Sequence, residues 1–148
     1  MGYNANPVNA YRQTRVKTAS QGQIIVMLYD EALRRIDQAH SALDDGPKSY
    51  DVVNSAVGKA QDIVTELMAS LDFEQGGELA ENLFSLYSFF NRQLREANLQ
   101  KSKQPLEALR PLMADLREAW QRIASSSPES SNAGTGAPTE GGGINFAG

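Results

Sequence analysis

The chain has 148 residues, carries 14 Lys and Arg against 18 Asp and Glu for a net charge of −4, and contains no cysteine. That length holds one domain with a single core. The acid balance is wrong for a nucleic-acid binder, and the missing cysteine excludes a disulfide framework, a thiolate zinc site and a cysteine nucleophile.

Residues 1–19 are expected to form a non-helical strap. Pro7 and the Thr/Val mix around it break any helical pattern, yet Val8, Tyr11 and Val16 are apolar points on a polar segment. Arg12, Arg15 and Lys17 lie there with no acid beside them, and every acidic residue comes later. A segment with such anchors can lie over an apolar groove and be displaced from it. The opening MGYNANPVNAYRQTRV lacks the apolar stretch of a secretory signal, and Asn6 stands where a myristoylation signal wants Ser or Thr. No apolar run approaches the ~20 residues that cross a bilayer, so a cytoplasmic location and no membrane insertion are expected.

Residues 20–125 read as an all-α unit of four helices. The first opens on the capping box Ser20-Gln21-Gly22-Gln23 and carries Ile25, Leu28, Ala32, Ile36, Ala39 and Leu43 at 3–4 spacing. Asp44-Asp45-Gly46-Pro47 ends it, since Gly permits a left-handed turn and Pro cannot continue a helix. The second spans about Ser49 to Leu71, with Val53, Ala56, Ala60, Ile63, Leu67 and Leu71 on one side. Gly76-Gly77 breaks the pattern, and the third helix then carries Leu79, Leu83, Leu86, Tyr87, Phe90, Leu94 and Ala97. The fourth starts near Pro105 and carries Leu106, Leu109, Met113, Leu116, Trp120 and Ile123, with Pro111 inside it as a candidate kink. No segment alternates with period two. Short connections make sequential helices antiparallel, so the expected fold is an up-down four-helix bundle. Either a monomer or a dimer is compatible with it, since such bundles can exchange helices.

From Ser126 to Gly148 the chain is rich in Ser, Gly and Pro, and is expected to be a disordered tail dispensable both for folding and for partner binding. Ile144 and Phe146 form an apolar island in it, read either as a chance occurrence or as a short docking motif.

Catalytic chemistry is not legible. His40 is the only histidine, so there is no Ser/His/acid set and no paired Glu-x-x-His for a di-iron bundle. No Gly-rich phosphate loop follows a strand, and no metal or cofactor is expected. A histidine phosphotransfer bundle relaying phosphate through His40 is the rival reading, against which stands Leu43 at the position where that family usually has Lys. Otherwise His40 reads as a boundary residue, and Tyr87 and Trp120 as core.

Some apolar residues lie off the core stripes. The first helix reads Ile24-Ile25-Val26-Met27-Leu28-Tyr29, apolar almost all round, which marks a helix buried on several sides. Val57, Val64 and Met68 add a second line to the second helix, and Leu112 one to the fourth. These four are candidates for a partner-binding groove that would accept an amphipathic segment through apolar anchors, with core as the alternative.

An ordered set of motifs resembles the FliS family of flagellar secretion chaperones. It runs through Asn9-Ala10-Tyr11, Val16-Lys17-Thr18-Ala19-Ser20, Met27-Leu28-Tyr29-Asp30, residues 59–67, Ser70-Leu71-Asp72, Gly76-Gly77-Glu78-Leu79-Ala80, Asn82-Leu83, Leu86-Tyr87, Arg92, Leu94, Ala97-Asn98 and Leu116-Arg117-Glu118-Ala119-Trp120. The resemblance implies an antiparallel helical bundle without catalytic activity. It implies binding of the C-terminal segment of flagellin in apolar grooves, prevention of premature polymerisation, and delivery to the type III flagellar export apparatus. It also implies that the strap from Tyr11 to Val16 can occupy part of that surface when flagellin is absent. Contacts with the export gate, or an adaptor role toward flagellar regulatory proteins, are further partners known in the family.

Overall fold

The computed structural model describes residues 21–126 of the chain. Four α-helices follow one another: α1 (Gln21–Leu43), α2 (Tyr50–Ala69), α3 (Phe73–Gln100) and α4 (Gln104–Ser126), with one turn of 3-10 helix at Gly46–Ser49 between the first two. Each helix packs on its neighbours in chain order, and α4 closes the ring against α1. The diagonal pairs, α1 with α3 and α2 with α4, do not meet through their backbones. The up-down four-helix bundle expected from the periodicity is the fold observed.

The connections follow local chemistry. Gly46 ends α1 in the left-handed region (φ 78°), where a side chain would be strained. Asp72 caps α3, its carboxylate accepting from the Gln75 backbone N–H at 3.0 Å. One turn later Gly77 (φ 50°, ψ −125°) breaks the helix, which restarts at once. The Gly76-Gly77 interruption is therefore a kink near the start of α3 rather than the gap before it. Lys101 closes α3 in the left-handed region (φ 50°), and its ammonium donates to the Asn98 carbonyl, the Asn98 side chain and Asn54 at 2.8–2.9 Å. Those bonds offset the strain that a non-glycine residue carries there. Helix α4 runs on through Pro111, which is exposed, so the Glu107 carbonyl left without its helical donor can bond water. The Ser20 cap lies outside the described residues.

The core is aliphatic with an aromatic centre. Tyr29, Ile36, Val53, Leu67, Tyr87, Phe90, Leu94, Leu106, Leu109 and Met113 are all at most 1 % exposed. Each large side chain so buried stabilises the fold by about 1.5–3 kcal/mol relative to exposure. The apolar run of α1 is accounted for: Ile24, Ile25, Val26, Leu28 and Tyr29 are all buried.

A candidate binding seam between the third and fourth helices

The four residues singled out as a second stripe do not form one surface. Val57 and Val64 are buried in the main core. In a closed ring each helix faces two neighbours, so α2 needs an apolar stripe wide enough for both α1 and α3, and these valines fill its width. They are core in this conformation, not an open groove. Met68 is half-buried, with its sulfur 3.9 Å from the Asn91 amide of α3. Leu112 is 42 % exposed on α4, diagonally opposite α2. The strap residues Val8, Tyr11 and Val16 lie outside the described residues.

Three of the exposed apolar residues, Leu79, Leu112 and Ile123, point to a different place, whereas Val52 and Leu99 are exposed singly elsewhere. Leu79 is 56 % exposed and Ile123 47 % exposed, although the periodicity assigns both to core stripes. Leu83, Leu86, Phe89, Leu116 and Trp120 are partly buried and pack against the core from above. On α3, residues 79, 83 and 86 follow one another at spacings of four and three. On α4, residues 112, 116 and 123 do so at four and seven. Both series stay on one side of their helix. The helices are antiparallel through the short connection after Gln100, so the two series run along the same seam. Leu112 and Phe89 lie toward one end, and Leu79 and Ile123 toward the other. No ion pair joins α3 to α4 among the described residues. The seam is an apolar furrow with a half-open top.

A smaller apolar pad sits beside it on the α2 side of α3. Phe73 and Phe84 meet edge to face with ring centroids 5.9 Å apart, and both are nearly half exposed. The Gly77 kink turns the Phe73 turn back toward Phe84.

Under the seam lies a polar knot. The Tyr29 and Tyr87 hydroxyls are 2.7 Å apart across the diagonal of the bundle, with Trp120 close by. Burial pushes the Tyr29 hydroxyl far above the ordinary phenol range, and the neighbouring Tyr87 adds to it. Burial likewise raises Tyr87, to about 12. Both hydroxyls therefore stay protonated and act as hydrogen-bonding groups, not as acids.

The α1–α4 seam is built in the opposite way. Arg117 grips Asp30 with two bonds, at 2.7 and 3.3 Å, and Arg110 grips Asp37 at 2.6 and 2.8 Å. His40 Nε2 is 2.8 Å from the Glu107 carboxylate, and Lys103 pairs with Asp44. Each step forward on α1 matches an equal step back on α4, as antiparallel helices require. The Arg110 guanidinium holds the Asp37 carboxyl below its ordinary range, and Lys103 does the same for Asp44. Gly22 allows close approach at one end, since a Cβ there would lie 3.2 Å from that of Ala124. The carboxylate at His40 Nε2 argues against the phosphotransfer reading, because a phosphoryl group arriving there would meet a negative charge. Among the described residues no cluster of His, Asp and Glu suits a metal ion, and no helix is long and apolar enough to cross a membrane.

A sequence profile of the family described as Flagellar protein FliS matches residues 4–127. The chain belongs to the FliS family of flagellar secretion chaperones. It is 38 % identical over 129 residues to the flagellar secretion chaperone FliS of Salmonella typhimurium, covering 82 % of this chain and 93 % of that one. Against the Escherichia coli K12 relative the identity is 34 %, covering 80 % of this chain and 90 % of the relative. Against that of Bacillus subtilis it is 31 %, covering 82 % and 88 %. The family is one of chaperones, not of enzymes, so this chain is a flagellar secretion chaperone without catalytic activity. Two of the stretches on which its likeness to FliS proteins rests, Asn82-Leu83 with Leu86-Tyr87 and Leu116 to Trp120, stand on facing helices of the apolar seam. Sequence reasoning passed over the seam because its residues share the helical spacing of the core. The one available signal was excess: α3 and α4 carry more apolar residues than a closed seam between them can bury.

Proposed function

We propose that this chaperone holds the C-terminal segment of flagellin in the cytoplasm, with an amphipathic helix of that segment lying along the α3–α4 seam. The observation that carries the reading is the row of half-exposed apolar residues Leu79, Leu112 and Ile123 along one seam of a secretion chaperone. An amphipathic helix presents anchors at i, i+3, i+4 and i+7, the spacing that the seam itself uses. Covering these faces removes from flagellin the apolar surface through which it would pack on other copies of itself. The bound segment is thereby kept unpolymerised until the type III flagellar export apparatus receives it.

Magnitudes limit how much the seam does alone. Full burial of a large aliphatic side chain is worth about 1.5–3 kcal/mol, so covering the exposed half of three such residues gives about 3 kcal/mol on this side and a similar amount on the partner's. Association itself costs about 4–15 kcal/mol. One helix in the seam would bind weakly. The reading therefore requires the segment to continue beyond it, and the Phe73–Phe84 pad is the next exposed apolar surface.

The test is calorimetric titration of the isolated C-terminal segment of flagellin into the chain, with hydrogen exchange read on the complex. A one-to-one complex with new protection over residues 79–89 and 112–123 is expected. No complex at tens of micromolar, or a complex that protects neither stretch, refutes the reading.

A further inference from the structure

The seam opens beside the point where the chain leaves the bundle. Ile123 sits three residues before the end of α4 at Ser126. The up-down topology brings the start of α3, with Leu79, to the same end. From there the chain continues to residue 148, and residues 128–148 lie beyond the part that the FliS profile matches. This added tail is Ser, Gly and Pro rich, and its largest apolar side chains, Ile144 and Phe146, sit at its far end.

We propose that Ile144 and Phe146 dock in the α3–α4 seam of the same molecule and act as a built-in competitor for the segment the seam receives. The proposal rests on the reading of that seam as a binding surface. Three observations select this occupant. The first is reach. Residues 127–143 have the composition of a Gly/Ser-type linker, and a flexible chain of that composition and length would span about 23 Å root-mean-square. The seam from Ile123 back to Leu112 is about 17 Å long, so the tether covers all of it without stretching. The second is charge. The link carries only Glu129 and Glu140, too few for self-repulsion to extend it. The third is effective concentration. A tether matched to its span holds the motif near its site at roughly millimolar concentration. A two-residue anchor too weak to bind as a free peptide would still occupy the seam about half of the time. The same weakness lets a longer, tighter segment displace it. The tail would keep the half-exposed leucines covered while no client is present, and give way when one arrives.

Trp120 is the sole tryptophan of the chain and stands half-buried at the seam, so its emission reports whether the seam is covered. The experiment compares the full chain with the double variant Ile144→Ser, Phe146→Ser, both positions lying after the last described helix in the sequence. Expected in the variant are a red shift of Trp120 emission, faster hydrogen exchange over residues 112–123, an unchanged melting temperature, and about twofold tighter binding of the flagellin C-terminal segment, since half occupancy by the tail halves the competent fraction. A synthetic peptide of residues 140–148, added at millimolar concentration, should restore the emission. Identical emission and exchange in the two chains overturn the proposal, and do so whether or not flagellin binds. A difference that grows with protein concentration makes a second copy the occupant and also overturns it. So does uncovering that follows Val8→Ser, Tyr11→Ser but not the tail variant, since the N-terminal segment would then be the cover. Failure of the flagellin segment to bind or to protect the seam would sink the seam's proposed function, while emission and exchange still report on the tail.

Discussion

Placing an aspartate at Val64 and at Ile123 in turn separates core from seam most sharply. Val64 is fully buried and Ile123 is 47 % exposed. At Val64 the change removes about 1.5–2 kcal/mol of apolar burial and leaves an ionised carboxylate unpaired among aliphatic neighbours, for several kcal/mol more. A total of about 5 kcal/mol or above approaches the whole stability of many domains. At Ile123 the carboxylate stays in water, and the fold should lose about 0.5–1 kcal/mol. Binding should respond in the reverse order. A partner side chain covering Ile123→Asp would bury an unpaired charge and forfeit about 1 kcal/mol of apolar contact, so a loss of at least about 30-fold in affinity is expected. Urea denaturation of both variants gives the stabilities, and calorimetry with the flagellin C-terminal segment gives the affinities. Leu83→Ala serves as an intermediate control. The reasoning fails if the Val64→Asp protein folds with near-normal stability, or if Ile123→Asp binds the segment as the parent chain does.

Three further perturbations test other parts of the structure. Tyr29→Phe should destabilise the bundle by about 1–2 kcal/mol, because the Tyr87 hydroxyl loses its nearest partner inside the core; the double change with Tyr87→Phe should cost less than the sum of the two single changes in a denaturation cycle. Arg110→Asp should destabilise by setting two carboxylates face to face, and adding Asp37→Arg should recover most of the loss, with an overall effect of about 1 kcal/mol because the pair is half exposed. Asp37 and Asp44 have depressed native values, so the stability they add is complete above about pH 4 and is lost as pH falls further, through those native values; acid titration of the Arg110→Gln protein should lose the Asp37 part of that slope.

Much of the fold is legible in the residues because local chemistry decides it. Gly46 before Pro47 can only end a helix, and Gly77 takes a backbone conformation closed to other residues. The run from Ile24 to Tyr29, apolar almost all round, demands burial on several sides and receives it. What periodicity does not carry is which of the four seams closes. Val57 and Val64 look surplus if each helix owes one face to the core, and stop being surplus once α2 is seen to face two neighbours. Leu79 and Ile123 keep perfect core spacing, yet the seam they belong to is not filled. The ion-pair ladder was present in the sequence in coded form. Residues 30, 37, 40 and 44 step by seven, three and four, while residues 103, 107, 110 and 117 step by four, three and seven; three of the pairs set Asp against Lys or Arg, and the fourth sets His40 against Glu107. Only the antiparallel pairing of α1 with α4 makes the mirrored spacing meaningful.

The two seams that share α4 divide the work between them. Toward α1 the helix is held along its outer edge by three ion pairs, two of them bidentate from arginine, and by the His40–Glu107 contact. Each exposed pair adds at most about 1 kcal/mol, but their geometry fixes register along the helix. Toward α3 the helix has no such clasp among the described residues, and its edge is apolar. If the seam receives an amphipathic segment as proposed, the chain needs an apolar surface that its own core does not consume, and must remain folded while that surface stands half uncovered. Holding α4 through charges on one side permits the other side to stay open without freeing the helix. Under the proposed function, exchanging the two chemistries would cost both: an apolar α1–α4 edge would no longer fix the register of α4, and a charged α3–α4 edge would close the seam to an apolar helix. The Tyr29–Tyr87 hydroxyl pair lies between these seams. It ties α1 to α3 across a diagonal where the backbones do not meet, so the floor of the seam stays in place when its rim is occupied.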